Sequence, residues 1–282
     1  MAMRVMTTPV RVRGVRSELS AGKVVPRPSP LGPPTIHIAG TDVHLTDTPG
    51  ACDVIADAVH RHSGSPLAVV SVNLDHVHHS ASLEHGPTTV RHLNLIDGAP
   101  IARQAERLTG GHWPRLAGSD LIEDILNRAH TERWRVAVLG GADEVRESLH
   151  RRVEAEWPGV RLIGHWTPGR TELSSAESSA EIAMQIRRAD ADVVIVCLGK
   201  PRQEQWIDTY GEATGARVLL AFGAVVDFLA GRVSRAPRWV SDSGLEWMWR
   251  LMLEPKRLAK RYLVEGPPAY LAVRRSSGRQ DA

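Results

Sequence analysis

Arg235, Arg250, Arg257 and Arg261 recur through FGAVVDFLAGRVSRAPRWVSDSGLEWMWRLMLEPKRLAKRY, residues 222–262, with Trp239, Trp247 and Trp249 standing among them. Further cations fall at Arg232, Arg238, Lys256 and Lys260. A guanidinium offers a planar fork of donors that matches a phosphate, and an indole suits the boundary between water and lipid. The pattern fits a protein that handles a diphosphate beside a membrane. The competing reading is a solvated helix on which Glu246 and Glu254 pair with some of these cations.

Other candidates sit where apolar runs stop. Asp97 follows HLNLI and precedes Gly98, so its carboxylate could act as a general base at a strand end. A turn aspartate capping the next helix is the alternative. Ser71 and Asn73 flank Val72 at another strand end, and alternation puts both on one side. They suit a sugar or phosphate, or else they satisfy a local turn. Gly140-Gly141, inside VLGGADE, joins a strand to a helix start whose amides could hold a phosphate. Gln203 and Glu204, in GKPRQEQW, fall in the first turn of a helix and could bind a sugar or base, or simply complement the helix dipole.

Several chemistries find little support. VLGGADE is not a full G-x-G-x-x-G, which weakens a nicotinamide cofactor, and Gly199-Lys200 lacks the upstream glycine of a phosphate loop. His76, His78 and His79 do not present three imidazoles together on a helix, and no carboxylate pair or cysteine is evident beside them to complete a metal shell. Asp190-Ala191-Asp192 looks like a metal-holding acidic triplet but precedes its strand. That puts it at the opposite edge from the site, as a solvated loop. No metal and no cofactor are expected.

The elements that must position these residues alternate. Residues 36–39 and 43–45 flank Gly40 as a hairpin. Residues 49–60 have helical spacing with Thr48 as a cap. Apolar runs at 67–72, 93–96, 135–139, 160–163, 193–198 and 218–222 predict strands. Helices are expected from Ser119 to Arg128, from Asp143 to Glu156 and from about Ser175 to Arg188. This order predicts an α/β fold, Rossmann-like, with a mostly parallel sheet, helices on both faces and a basic C-terminal helical appendage. Ligands of such sheets lie beyond the carboxyl ends of the strands. Residues 1–34, with VVPRPSPLGPP, are expected to be a disordered tail, 35–231 the α/β domain, 232–265 the appendage, and 266–282 a flexible tail that opens on a helix-breaking Gly-Pro-Pro.

With 282 residues, 42% of them hydrophobic, the chain can bury a sizeable core. A net charge of +3 is too small for a dedicated nucleic-acid binder. Cys52 and Cys197 are expected to be reduced thiols of a cytoplasmic protein. No apolar run approaches the ~20 residues that span a bilayer, and the basic N-terminus lacks the apolar stretch of a signal peptide.

The motifs SVNLDH, IDG, RLAGSDL, VAVLGG, VCLGKPRQEQWI, FGAVVDFLAG, RAPRW, LEWMWRL and EPKRLAKRY, in that order over residues 36–262, resemble the WecG/TagA/CpsF family of bacterial glycosyltransferases. The resemblance implies a metal-independent, inverting hexosyltransferase. It would move a sugar from a UDP donor, N-acetylmannosamine or its uronic acid being favoured, to a polyprenyl-diphosphate-linked saccharide. It implies Asp97 as general base, Ser71 where the family usually has threonine, and Asn73 beside the donor. Arg115 would contact the diphosphate or the reacting sugar, and Gln203 and Glu204 would shape the nucleotide-sugar pocket. Arg235, Arg250, Arg257 and Arg261 would close over it. The cytoplasmic membrane leaflet would be a partner, and association into a dimer or trimer is left open. The segment TPGRTELSS after His165 lacks the Gly-Tyr-Phe element of many members. A UDP-glucose-using relative, a nicotinamide oxidoreductase and a non-catalytic nucleotide-binding module are the rival readings.

Overall fold

The computed structural model describes residues 23–61, 64–80, 88–232, 246–253 and 255–279. Its strands are β1 (Thr35–Ile38), β2 (Thr41–His44), β3 (Leu67–Val72), β4 (Arg91–Ile96), β5 (Arg135–Gly140), β6 (Arg161–Trp166), β7 (Val193–Cys197) and β8 (Val218–Ala221). They form one sheet in the order β1-β2-β4-β3-β8-β7-β5-β6. Only β1 and β2 pair antiparallel, around Gly40, and every other pairing is parallel. The α/β expectation therefore holds. The central strands are continuous apolar runs because both faces are covered: all of Leu67–Val72 and Val193–Cys197 is buried.

Between the strands lie α1 (Thr48–His60), α2 (Leu74–Ser80), α3 (Ala99–Thr109), α4 (Gly118–Glu132), α5 (Arg146–Glu156), α6 (Arg170–Ser174), α7 (Ala176–Ala189), α8 (Arg202–Tyr210) and α9 (Val225–Leu229). Alternation sorts the core into two layers. Val69, Leu93, Leu95, Val138, Ile195 and Leu220 face α1 and α4 residues such as Ile55, Leu121 and Ile122. Val70, Leu139, Val194, Val196 and Leu219 face Ile182, Ile186 and Trp206 of α7 and α8. Small boundary differences follow from capping. Asp47, not Thr48, caps α1 by accepting from the Gly50 N–H, and a 3-10 turn at Asp143–Val145 precedes α5.

Both terminal expectations need correction. The tail predicted through Pro34 does not hold for residues 23–34. Arg27 exchanges two backbone hydrogen bonds with Thr35, each 2.8 Å, and the Val24 N–H donates to Leu108 O. Proline-rich chain is already extended, so it lines an edge strand at little conformational cost. Residues 1–22 lie outside the described residues. The predicted flexible tail after 266 is instead a helix, Gly266–Arg275, with proline in its first turn. Proline lacks only an N–H that a first turn would leave unpaired, so Pro267-Pro268 starts the helix where a breaker was expected. Its Ala269 and Val273 are buried in a third cluster with Ile36, Ile96 and Ile101. Gln104 Nε2 then donates to Ser276 O at 2.8 Å, tying the chain end to α3. After Arg232 the described residues form the helical segments Glu246–Leu253, Pro255–Ala259 and the π-helical Lys260–Glu265.

Candidate functional site

β3 and β4 run in register, Val72 opposite Ile96, so the next residues, Asn73 and Asp97, emerge side by side. The Asp97 N–H donates to Val72 O at 2.9 Å, and Asn73 Nδ2 donates to Asp97 Oδ2 at 2.8 Å. Asn73 Oδ1 meanwhile accepts the His76 N–H at 3.1 Å, capping α2. A backbone N–H can only donate, so the oxygen of the amide must face it and the nitrogen must face the carboxylate. Asp97 Oδ1 is left without a partner among the described residues. The alternative of a helix-capping aspartate is not followed: Gly98 occupies the cap of α3 and no side chain bonds there.

A cavity of about 480 Å³ opens over this pair. Asn73, Asp75 and Asp97 line it from the strand ends and α2, Pro100 and Arg103 from α3, and Arg115 from the loop before α4. Arg261, Tyr262, Pro267 and Tyr270 complete it from the C-terminal segment. Arg115 is held near β4 because the Leu116 N–H donates to Ile96 O at 2.6 Å. Arg261 Nη2 lies 3.4 Å from Asp75 Oδ2. The structure thus brings Asn73, Asp97, Arg115 and Arg261 together. Arg250 and Arg257 fall on the helices Glu246–Leu253 and Pro255–Ala259, with side chains outside the described set, and Arg235 lies outside the described residues.

Ser71, Gln203 and Glu204 form a second, more buried group along the same sheet edge. Gln203 is 1% and Glu204 5% exposed, far less than ordinary first-turn residues. Gln203 Nε2 donates to Ala221 O at 2.8 Å and to Glu204 Oε1 at 3.1 Å. Lys200 Nζ donates to Glu204 Oε1 at 2.7 Å and to Ser71 O at 2.9 Å, bridging α8 to β3. Three buried oxygens, Ser71 Oγ, Gln203 Oε1 and Glu204 Oε2, have no partner among the described residues. An unpaired buried polar atom is costly, so three such oxygens on one sheet edge single this group out as a candidate for ligand contact. Lys200 was legible only as half of an incomplete phosphate loop. Its role as a bridge depends on β3 and β7 flanking β8, which no local motif encodes.

The glycine pair stands two strands beyond β3 and β8. Gly140 has φ +99°, and a Cβ there would lie 2.4 Å from Cys197 O, so close strand packing already requires glycine. The Gly141 N–H is directed at Cys197 O, 3.3 Å away, so of the pair's amides this one faces the sheet. Cys197 itself is buried, which pushes its thiol up to about 12, and its Sγ faces Phe222 O. It is an inert thiol, and both cysteines are free.

The histidine reading is corrected in one respect. Asp75, His79 and Glu265 converge, with ligand atoms within 4.8 Å of one another. Carboxylates therefore do stand beside the histidines, one supplied from far along the chain. These carboxylates already face cations: Arg261 at Asp75, and Lys260 Nζ 2.9 Å from Glu265. Asp190 and Asp192 lie at the amino edge, as expected, yet Asp192 is not merely solvated. Its carboxylate accepts from the Arg135 guanidinium at 2.6 Å and from the Arg135 N–H at 2.8 Å. Burial alone would raise its pKa, but the Arg135 hydrogen bonds outweigh that and hold the carboxyl below its usual range.

Residues 36–282 match the model of the Glycosyl transferase WecG/TagA/CpsF family. A Bacillus subtilis protein named N-acetylglucosaminyldiphosphoundecaprenol N-acetyl-beta-D-mannosaminyltransferase is 29% identical over 163 residues, 58% of this chain and 61% of the relative. A Bacillus spizizenii protein of the same name is 32% identical over the same shares. A Staphylococcus aureus protein of that name is 23% identical over 227 residues, 80% of this chain and 87% of the relative. The match thus spans about 61% of the length of the Bacillus relatives. With the match covering most of its length, the chain belongs to the WecG/TagA/CpsF family of glycosyl transferases.

Proposed function

We propose that this protein is an inverting, metal-independent hexosyltransferase of surface or cell-wall polysaccharide synthesis. It moves N-acetylmannosamine, or its uronic acid, from a UDP donor to a polyprenyl-diphosphate-linked saccharide. The observation that carries the reading is the Asp97 carboxylate, aligned by Asn73 through Oδ2 and lining a cavity edged by Arg115 and Arg261. The sugar preference rests on the names of the relatives.

In this mechanism Asp97 Oδ1 takes the proton of the acceptor hydroxyl. The hydroxyl oxygen bonds to the anomeric carbon as the bond from that carbon to phosphate breaks, and the electron pair leaves on UDP. Attack opposite the leaving group inverts the anomeric centre. Gln203 Oε1, Glu204 Oε2 and the Ser71 hydroxyl, unpartnered in the buried group, take hydrogens from the nucleotide-sugar. Gly140 and Gly141 border it. Negative charge growing on UDP is met by Arg115 and by the appendage arginines Arg235, Arg250, Arg257 and Arg261. Closure of that segment excludes water and limits donor hydrolysis.

No helix among the described residues is long and apolar enough to cross a membrane. Met252, Leu263 and Val264, each at least 60% exposed, sit beside Lys256 and Lys260 and supply contacts to the acidic cytoplasmic leaflet. Flotation with acidic liposomes tests that contact. The function itself is tested by UDP release from a panel of UDP-sugars in EDTA, with and without a short-chain prenyl-diphosphate-GlcNAc. Acceptor-dependent release from UDP-N-acetylmannosamine is expected. Release from UDP-glucose alone would move the protein to the glucosyltransferase reading, and activity only after metal is restored would overturn metal independence.

A further inference from the structure

We infer that Arg103 binds the diphosphate of the lipid-linked acceptor, and that the cavity wall of Tyr262, Pro267 and Tyr270 carries the first units of its prenyl chain. The inference rests on the transferase reading above and divides its two diphosphates between two sides of Asp97. The buried group with unpartnered oxygens lies toward β8 and β7, one side of the β3–β4 pair. The α3 wall of the cavity, with Pro100 and Arg103, lies on the other side, toward β1. Inverting displacement requires the nucleophile to enter opposite the leaving group. If the nucleotide occupies the β8 and β7 side, the acceptor must approach from α3.

The charges agree with that assignment. Of the guanidinium groups in the cavity, Arg261 faces Asp75 and Arg115 has an interaction of its own. Arg103 has no hydrogen bond or ion pair among the described residues, so it is the uncompensated cation of the cavity. One sugar ring separates the attacking hydroxyl from the acceptor diphosphate, so the anchoring cation must stand about a sugar's length from the base. Arg103 lies four positions along α3 from Ala99, about 6 Å at helical rise, and its flexible side chain adds reach. A charged anchor beside proline and tyrosine surfaces suits a ligand that is anionic at one end and apolar at the other. The exposed side chains of Leu263, Val264 and Leu271 continue the apolar surface along the same segments.

Calorimetry on the full chain tests this, with farnesyl diphosphate, inorganic pyrophosphate and UDP as separate titrants. Arg103→Gln should weaken farnesyl diphosphate tenfold or more while UDP affinity stays within twofold, and Arg103→Lys should recover part of the loss. In turnover, the acceptor KM should rise and the donor KM should not. Unaltered farnesyl diphosphate binding in Arg103→Gln would overturn the inference, as would an equal loss of UDP binding, which would give Arg103 to the donor. Pyrophosphate binding as tightly as farnesyl diphosphate would overturn the prenyl wall. Arg103-dependent farnesyl diphosphate binding without turnover of any donor would leave this site standing and defeat the transferase reading instead.

Discussion

The two edges of the same sheet treat polar groups in opposite ways. At the amino edge Arg135 and Asp192 satisfy each other through both side-chain and backbone hydrogen bonds, and Asp190 adds a further carboxylate to the same guanidinium. At the carboxyl edge Ser71 Oγ, Gln203 Oε1 and Glu204 Oε2 are buried without partners, and Asp97 keeps one oxygen open. The first arrangement is complete in the folded chain. The second is left open in the folded chain, at a cost in stability. Acidic residues near a strand are therefore not equivalent: those at the amino edge are paired within the fold, and the proposed chemistry falls to those at the carboxyl edge.

Substitutions can break this contrast. Asp97→Asn should have the largest effect, lowering turnover by about a thousandfold, within the range of a general base. UDP affinity should stay within twofold by titration. Asp192→Asn should instead leave turnover nearly intact and destabilise the fold by about 1–2 kcal/mol in urea at neutral pH, between an exposed and a buried ion pair. The sign with pH is fixed. The Asp192 carboxyl titrates lower in the folded state than in the unfolded chain, where it is near 3.9. Its contribution is therefore complete above that value and lost as pH falls through the depressed folded value, so the two proteins should converge in acid. An undiminished gap at low pH would refute the ion pair as the cause. Ser71→Ala should have the smallest effect on the fold, within about 0.5 kcal/mol or slightly stabilising, because its hydroxyl gives up no bond. It should still reduce donor kcat/KM about tenfold, about 1.4 kcal/mol. A large loss of stability would mean that the hydroxyl is structural.

Much of the carboxyl edge was legible in the sequence because strand ends are marked locally. Apolar runs stop at Ser71-Val72-Asn73 and at Asp97-Gly98, and a parallel sheet gathers such ends on one side. What was not legible depends on the return of the chain. Gly266-Pro267-Pro268 reads as a breaker unless the π-helical segment before it, Lys260–Glu265, is known to run directly into a helix that takes proline in its first turn. That helix brings Tyr270 over Asp97, and the π-helical segment before it brings Glu265 beside His79. Neither neighbour could be found from spacing along the chain. Arg103 is inconspicuous in sequence for the same reason: within APIARQAERLT it is one of two arginines on an amphipathic helix, and only the fold puts it in the cavity. Glu204 is marked by its motif, and Lys200 lies only four residues before it, but the bond from Lys200 to Ser71 O comes from strand order.

The most direct test of the account is the stereochemistry of transfer. The protein would be incubated in EDTA with UDP-N-acetylmannosamine, whose anomeric bond is α, and prenyl-diphosphate-GlcNAc, and the linkage of the product read by NMR. The account predicts a β-linked product formed with one UDP per acceptor consumed. An α-linked product would contradict displacement across Asp97, since a single attack opposite the leaving group cannot retain the configuration, and UDP release that does not depend on the acceptor would contradict transfer altogether.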